Sequence, residues 1–143
     1  MKGDYNRKKI LIITASGFVL PRGCSLHLHS FISVLNQVGF SNITLLAPRY
    51  GIDDTFGKKV FIKRYGIKGF KKYPVGFSVA KLLNLPFFIM AAIFSFRRSY
   101  DYVIAHDHEG LFAGTILKLV FGKKFIYLSE NPISSVLKST NSN

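Results

Sequence analysis

Lys9-Ile10-Leu11-Ile12-Ile13-Thr14 is a short run of branched apolar residues with no polar alternation. A strand with one face in water alternates apolar and polar positions. A strand covered on both faces is apolar throughout, and such strands belong to parallel sheets lying between helices. Lys8 and Lys9 ahead of the run give it a loose likeness to a signal peptide. The run breaks into small and polar residues at Thr14-Ala15-Ser16-Gly17, which suits a buried strand entering a loop.

The rest of the chain follows from this reading. Leu28, Phe31, Ile32 and Leu35 recur at i, i+3, i+4 and i+7, one face of a helix, and Gly39 is its natural C-terminal stop. Asn42–Ala47 is a second strand closed by Pro48. Lys59–Tyr65 alternates and reads as a third strand at an edge. A loop-like, lysine-rich stretch runs to Tyr73-Pro74. Val79–Phe96 is an apolar helix, broken or bent near Pro86. Tyr102–Ala105, Gly110–Phe121 and Lys124–Leu128 read as strand, apolar helix and strand. Strands alternating with helices predict an α/β fold, a Rossmann-like open parallel sheet with helices on both faces. Right-handed crossovers give it the order 3-2-1-4-5. One domain spans 1–131, and residues 132–143 form a polar, frayed tail.

Composition limits the function. With 143 residues there is room for one domain with a real core. Fourteen Phe and seven Tyr argue against disorder. The single cysteine, Cys24, rules out an internal disulfide or a cysteine zinc cluster and fits a reduced compartment. Twenty Lys plus Arg against seven Asp plus Glu leave a formal charge of +13, which points to a polyanionic partner. Leu82–Phe96 falls short of the ~20 apolar residues of a membrane span, so a buried or interfacial helix is expected there.

In an open α/β sheet, ligands bind beyond the carboxyl ends of the strands where the strand order reverses. Here that juncture brings together Ala15–Ser25 and His106-Asp107-His108-Glu109. Gly17 and Gly23 would let backbone approach a phosphate, Arg22 adds a donor, and a helix opening near Cys24 or Ser25 attracts anions. The same glycines would equally serve only to shape a loop. The G-x-G-x-x-G spacing is missing, and Ala47-Pro48-Arg49 offers no acid to a ribose, which disfavours a nicotinamide enzyme. His106 and His108 would share a face only if the strand continued, and no third ligand is evident, so no metal is expected. Asp107 or Glu109 could cap the following helix, a role compatible with ligand binding. His27 and His29 point about 200° apart on a helix and cannot form one site together.

Lys58, Lys59, Lys63, Arg64, Lys68, Lys71 and Lys72 are interleaved with Phe61, Tyr65, Phe70 and Tyr73. Such a segment suits an anionic bilayer surface, single-stranded nucleic acid, or no more than a solvated loop. The membrane-surface candidates are Lys63, Arg64, Lys68, Lys71 and Lys72.

Several segments resemble family 4 glycosyltransferases. Lys9–Ile13, Pro21-Arg22-Gly23-Cys24, His29, Leu35, Gly39-Phe40 and Ile43-Thr44-Leu45-Leu46 are similar to the family's opening of strand, P-x-G-G, helix, turn and V-T-V-L. Tyr100-Asp101-Tyr102-Val103-Ile104-Ala105-His106-Asp107, with Gly110 to Gly114 after it, is similar to the family's Y-D-V-I-H-A-H-D…G…A-G segment. The resemblance implies the N-terminal domain of a GT-B architecture, in which two nucleotide-type domains face across a cleft. The front domain binds the acceptor and helps to hold the donor diphosphate through its glycine loop, here Gly23 and Cys24, the latter in place of the family's second glycine. His106 and Asp107 match the cleft-facing motif. Glu130 stands in the loop where many members carry a histidine. The second domain, with its paired-glutamate donor site, is not matched. The expectation is therefore a front half, inactive alone, either truncated or completed by a separate chain.

On that reading the chain serves transfer of a sugar to a lipid-linked or glycan acceptor, peripheral to the cytoplasmic face of the membrane. It uses no cofactor, and a nucleotide sugar is its donor only if a partner supplies the donor-binding domain. The competing expectation is a non-catalytic basic nucleotide-fold module that binds anionic lipid or nucleic acid.

Overall fold

The computed structural model describes residues 5–15, 23–49, 60–66, 79–97, 100–122 and 124–129. Its elements are β1 (Lys9–Ile13), α1 (Gly23–Val38), β2 (Asn42–Pro48), β3 (Val60–Tyr65), α2 (Val79–Phe96), β4 (Tyr102–His106), α3 (Asp107–Phe121) and β5 (Ile126–Leu128), with a short 3-10 turn at Tyr5–Arg7. The five strands form one sheet in the order β3-β2-β1-β4-β5, parallel throughout. This is the Rossmann-like order that the apolar runs predict.

The alternation of β1 explains why both faces are covered. Ile10 and Ile12 point to one face, where they pack with Ile43, Leu45 and Ile104 against Leu28 and Ile32 of α1. Leu11 and Ile13 point to the other, against Phe88 and Ala92 of α2 and Ala113 and Leu117 of α3. Ile10 through Ile13 are each 1% exposed or less. Each such side chain contributes roughly 1.5–3 kcal/mol by leaving water, so this strand anchors both layers at once.

The helix ends follow local chemistry. At the C-terminus of α1, Gly39 takes φ +110, its N–H bonds the Asn36 carbonyl at 3.2 Å, and the Phe40 N–H bonds the Leu35 carbonyl at 3.0 Å. This is a Schellman closure, with Phe40 and Leu35 packed on the same core. Gly122 ends α3 in the same left-handed region. Helix α2 runs through Pro86 as one continuous helix, so of the break or bend that the sequence suggested, the break does not occur. The proline forfeits one backbone hydrogen bond, while Phe88 and Ala92 beyond it stay anchored in the core. Asn84 is buried on the same helix beneath the turn at Gly66, where an added Cβ would meet its Oδ1 at 2.5 Å. No helix among the described residues is long and apolar enough to cross a membrane.

Candidate functional site at the strand-order reversal

Strands β1 and β4 are neighbours in the sheet, and the chain departs from them in opposite directions. Their carboxyl ends, Thr14-Ala15 and His106-Asp107, meet as the sequence predicts. Asp107 makes the junction. Its Oδ2 accepts from the Thr14 hydroxyl at 2.9 Å and the Ala15 N–H at 2.8 Å, and its Oδ1 accepts from the Gly110 N–H at 2.8 Å. One carboxylate thus ties the end of β1 to the first turn of α3.

This bonding explains why α3 opens at Asp107, three positions before the helix read from the apolar pattern. Asp107 has φ +63, outside the helical region, so it is physically the capping residue although helical hydrogen bonding begins with it. Aspartate tolerates that conformation better than most residues, and its side chain replaces a backbone partner for Gly110. Of the two acids considered as caps, Asp107 performs the role. Glu109 lies half-buried in the same turn, favourably placed toward the positive helix end.

Gly110 is required by the closeness of the packing. A Cβ there would lie 2.8 Å from the Ile13 carbonyl oxygen and 3.3 Å from Asp107 Oδ1. A Cβ added at Gly114, one turn on, would meet the Phe125 ring and Ala105 Cβ at 3.1 and 3.2 Å.

His106 is fully buried, and its Nδ1 lies 3.1 Å from Thr14 Oγ1. The single hydroxyl proton of Thr14 is given to Asp107, so Oγ1 can only accept from the ring, and His106 carries a proton on Nδ1. The ring nitrogen is 3.8 Å from Asp107 Oδ2, too far for a direct hydrogen bond. It acts on the carboxylate through Thr14 and, when protonated, through its charge. Burial pushes the Asp107 carboxyl up, but His106, the Gly110 N–H and the Thr14 hydroxyl outweigh this and hold it below the usual carboxylate range. Tyr65, at the end of β3, donates its hydroxyl to the Thr14 carbonyl at 3.2 Å and so ties the edge strand into the same junction.

From the α1 side, the His27 ring stacks on His106 with centroids 6.4 Å apart and planes inclined by 27°. Gly23 begins α1 one helical turn before His27, so the positive end of α1 is directed at the same juncture. The positive end of α3 is already occupied by Asp107. An anion held by helix amides at this site would therefore be held by α1. His29, on a different side of α1, is half-buried, and burial lowers its pKa.

The paired-histidine idea is corrected by where β4 stops. His106 is the last residue of the strand, while His108 lies in α3 with its Nδ1 3.2 Å from the Tyr127 hydroxyl. The alternation that would align the two rings ends between them. Among the described residues no three His, Cys, Asp or Glu side chains are grouped to hold a metal ion.

Gly17, Arg22 and Glu130 lie outside the described residues, as do Lys58, Lys59, Lys68, Lys71 and Lys72. Gly23 and Cys24 are placed in the first turn of α1. Of the basic segment, Lys63 and Arg64 sit on edge strand β3, and Arg64 Nη1 donates to the Pro48 carbonyl at 2.7 Å. That guanidinium closes the β2–β3 end as well as contributing charge. Strand β3 also interrupts the basic run with a rise of ~3.3 Å per residue.

Thr14, Gly110, Tyr65 and His27 belong to the site and were not singled out from sequence as its members. Thr14 carried one signal, a hydroxyl ending an otherwise apolar buried strand. Gly110 carried another, lying three residues beyond an acid that could cap. Comparison with known proteins adds no identification: no protein-family model and no curated protein matches the chain.

Proposed function

We propose that this chain forms the acceptor-side domain of a nucleotide-sugar-dependent glycosyltransferase working at a membrane face on a lipid-linked or glycan acceptor. A Rossmann-like sheet serves many chemistries, so the fold alone does not carry the reading. The observation that carries it is the position of Tyr100–Asp107, the segment most similar to family 4 glycosyltransferases. Its last two residues stand at the strand-order reversal, His106 ending β4 and Asp107 opening α3; both are joined to Thr14, and the His106 ring stacks beside His27.

In this reading Asp107 is a positioning residue, engaged by three donors and holding the β1 and β4 ends in register. The His27 ring and the first turn of α1 form the wall facing acceptor and diphosphate, with the buried His106 ring, oriented by Thr14, supporting His27 from behind. A second nucleotide-fold domain, in the same polypeptide or in a separate chain, completes the cleft and binds the nucleoside and sugar of the donor, while this domain contacts its diphosphate. Transfer therefore requires that domain. The excess of cations keeps the assembly beside anionic lipid, where a lipid-linked acceptor resides.

The test is a transfer assay in membrane vesicles, with the chain expressed alone and together with the product of the adjoining reading frame. Radiolabelled nucleotide sugars are supplied as a panel. The expected result is label in the lipid or glycan fraction only when both products are present, lost with His106→Ala in a folded protein. Turnover by the 143-residue chain alone, or none with any donor in the paired system, would overturn the proposal.

A further inference from the structure

Helices α2 and α3 pack side by side on one face of the sheet and share a core through Phe88, Ala92, Ala113 and Leu117. A helix of a two-layer surface normally turns polar residues outward. These two do not. From Leu82 to Phe96 there is no charged residue, and from Gly110 to Leu117 there is none. The outward positions Leu83, Phe87 and Met90 of α2 and Phe112 and Leu119 of α3 are 46–79% exposed. In each helix they recur at the spacing of one stripe, on the side away from the buried residues that pack on the sheet. Large exposed apolar surfaces of this kind mark contact sites.

The charge around this layer indicates what covers it. Both helices run from strand carboxyl ends to strand amino ends, so their C-termini share one end of the sheet. Exposed cations stand there: Arg97 just after α2, Lys118 in the last turn of α3, and Lys124 ahead of β5. An uncharged apolar face bordered by cations, on a chain of +13, is complementary to an anionic bilayer interface, with side chains at the acyl boundary and cations at the headgroups. A second copy of the chain would bring like charge against like.

We infer that the outer face of α2 and α3 lies flat on anionic membrane, with Leu83, Phe87, Met90, Phe112 and Leu119 entering the interface. This deepens the membrane-face part of the proposed function and rests on it. It moves the docking surface from the basic segment around β3 to an apolar layer, and it leaves the β1–β4 site at the edge of that layer.

The chain contains no tryptophan, so one introduced indole reports alone. Met90→Trp and Leu119→Trp place it in the layer. Val34→Trp places it on α1, exposed and across the sheet. Each variant, checked for fold by circular dichroism, is mixed with vesicles of phosphatidylcholine and phosphatidylglycerol in equal parts, with and without brominated acyl chains. The expected result is a blue shift and strong bromine quenching at 90 and 119 and neither at 34, with weak binding to phosphatidylcholine alone. Phe87→Ser with Leu119→Ser, at unchanged charge, should lower partitioning at least tenfold. If vesicles bind but the indoles at 90 and 119 are not quenched, this face is wrong while membrane association stands. If no variant binds either vesicle, the membrane assignment falls as well.

Discussion

Replacing Asp107 with Asn tests the junction that organises the site. The substitution keeps size, suits φ +63, and leaves one oxygen for the Gly110 N–H. It then turns an NH2 toward the Ala15 N–H, which can only donate. It also asks the Thr14 hydroxyl to accept from two donors, itself and His106. Two hydrogen bonds to an ionised acceptor are lost or opposed, each of the kind that contributes about 1.5–3 kcal/mol. A net loss of about 3 kcal/mol is expected, which for a domain of this size lowers Tm by roughly 10 °C. The loss should depend on pH in a definite direction. The Asp107 carboxyl titrates below its usual range in the folded chain, so its stabilisation is complete above about pH 4, the unfolded value. It is lost as pH falls through the lower folded value. Asp101 is also held down, by the Lys9 N–H first and Lys8 next, but it is common to both proteins and cancels in the difference. Thermal melts followed by circular dichroism at pH 7, 5 and 3.5 should therefore show a gap that narrows with acid. Melting of Asp107→Asn within a degree of wild type at pH 7, or a gap constant with pH, would refute the reasoning.

The glycines form a graded series. Gly110→Ala sets a Cβ 2.8 Å from a backbone carbonyl that cannot turn aside, and should destabilise by about 2–3 kcal/mol in denaturant titration. Gly114→Ala meets a phenylalanine ring that can shift, and about 1 kcal/mol is expected. Gly39→Ala has open space around it and should lose only the ~1 kcal/mol of the left-handed conformation. Equal losses at 110 and 39 would show that the close approach of α3 to β1 is not real.

The elements legible in sequence were those whose signal is local. The apolar runs at Ile10–Ile13 and Val103–Ala105 betray burial on both faces, and Gly39 betrays the end of α1, because each reports its own surroundings. The meeting of His106 and Asp107 with the end of β1 was legible because a parallel sheet with right-handed crossovers leaves one place for it. The partners were not. Thr14 and Asp107 are 93 positions apart, and nothing in either residue announces the other. His27, a plausible solvated helix residue, becomes part of the site only through its stacking on His106. Of the basic segment the described residues include Lys63 and Arg64 on β3, and the engagement of Arg64 at Pro48 was not legible from the run of cations.

The central claim is that the strand-order reversal between β1 and β4 is the ligand site, and nuclear magnetic resonance of the 15N-labelled chain tests it most directly. Uridine diphosphate and guanosine diphosphate are titrated at fixed ionic strength, and backbone amide and histidine ring shifts are followed. The account predicts saturable changes led by the Ala15 and Gly23 amides and the His27 and His106 rings, abolished by Asp107→Asn under conditions where that variant remains folded. Changes concentrated at Lys118 and Lys124, at the opposite end of the sheet, or no saturable change with either nucleotide, would contradict it.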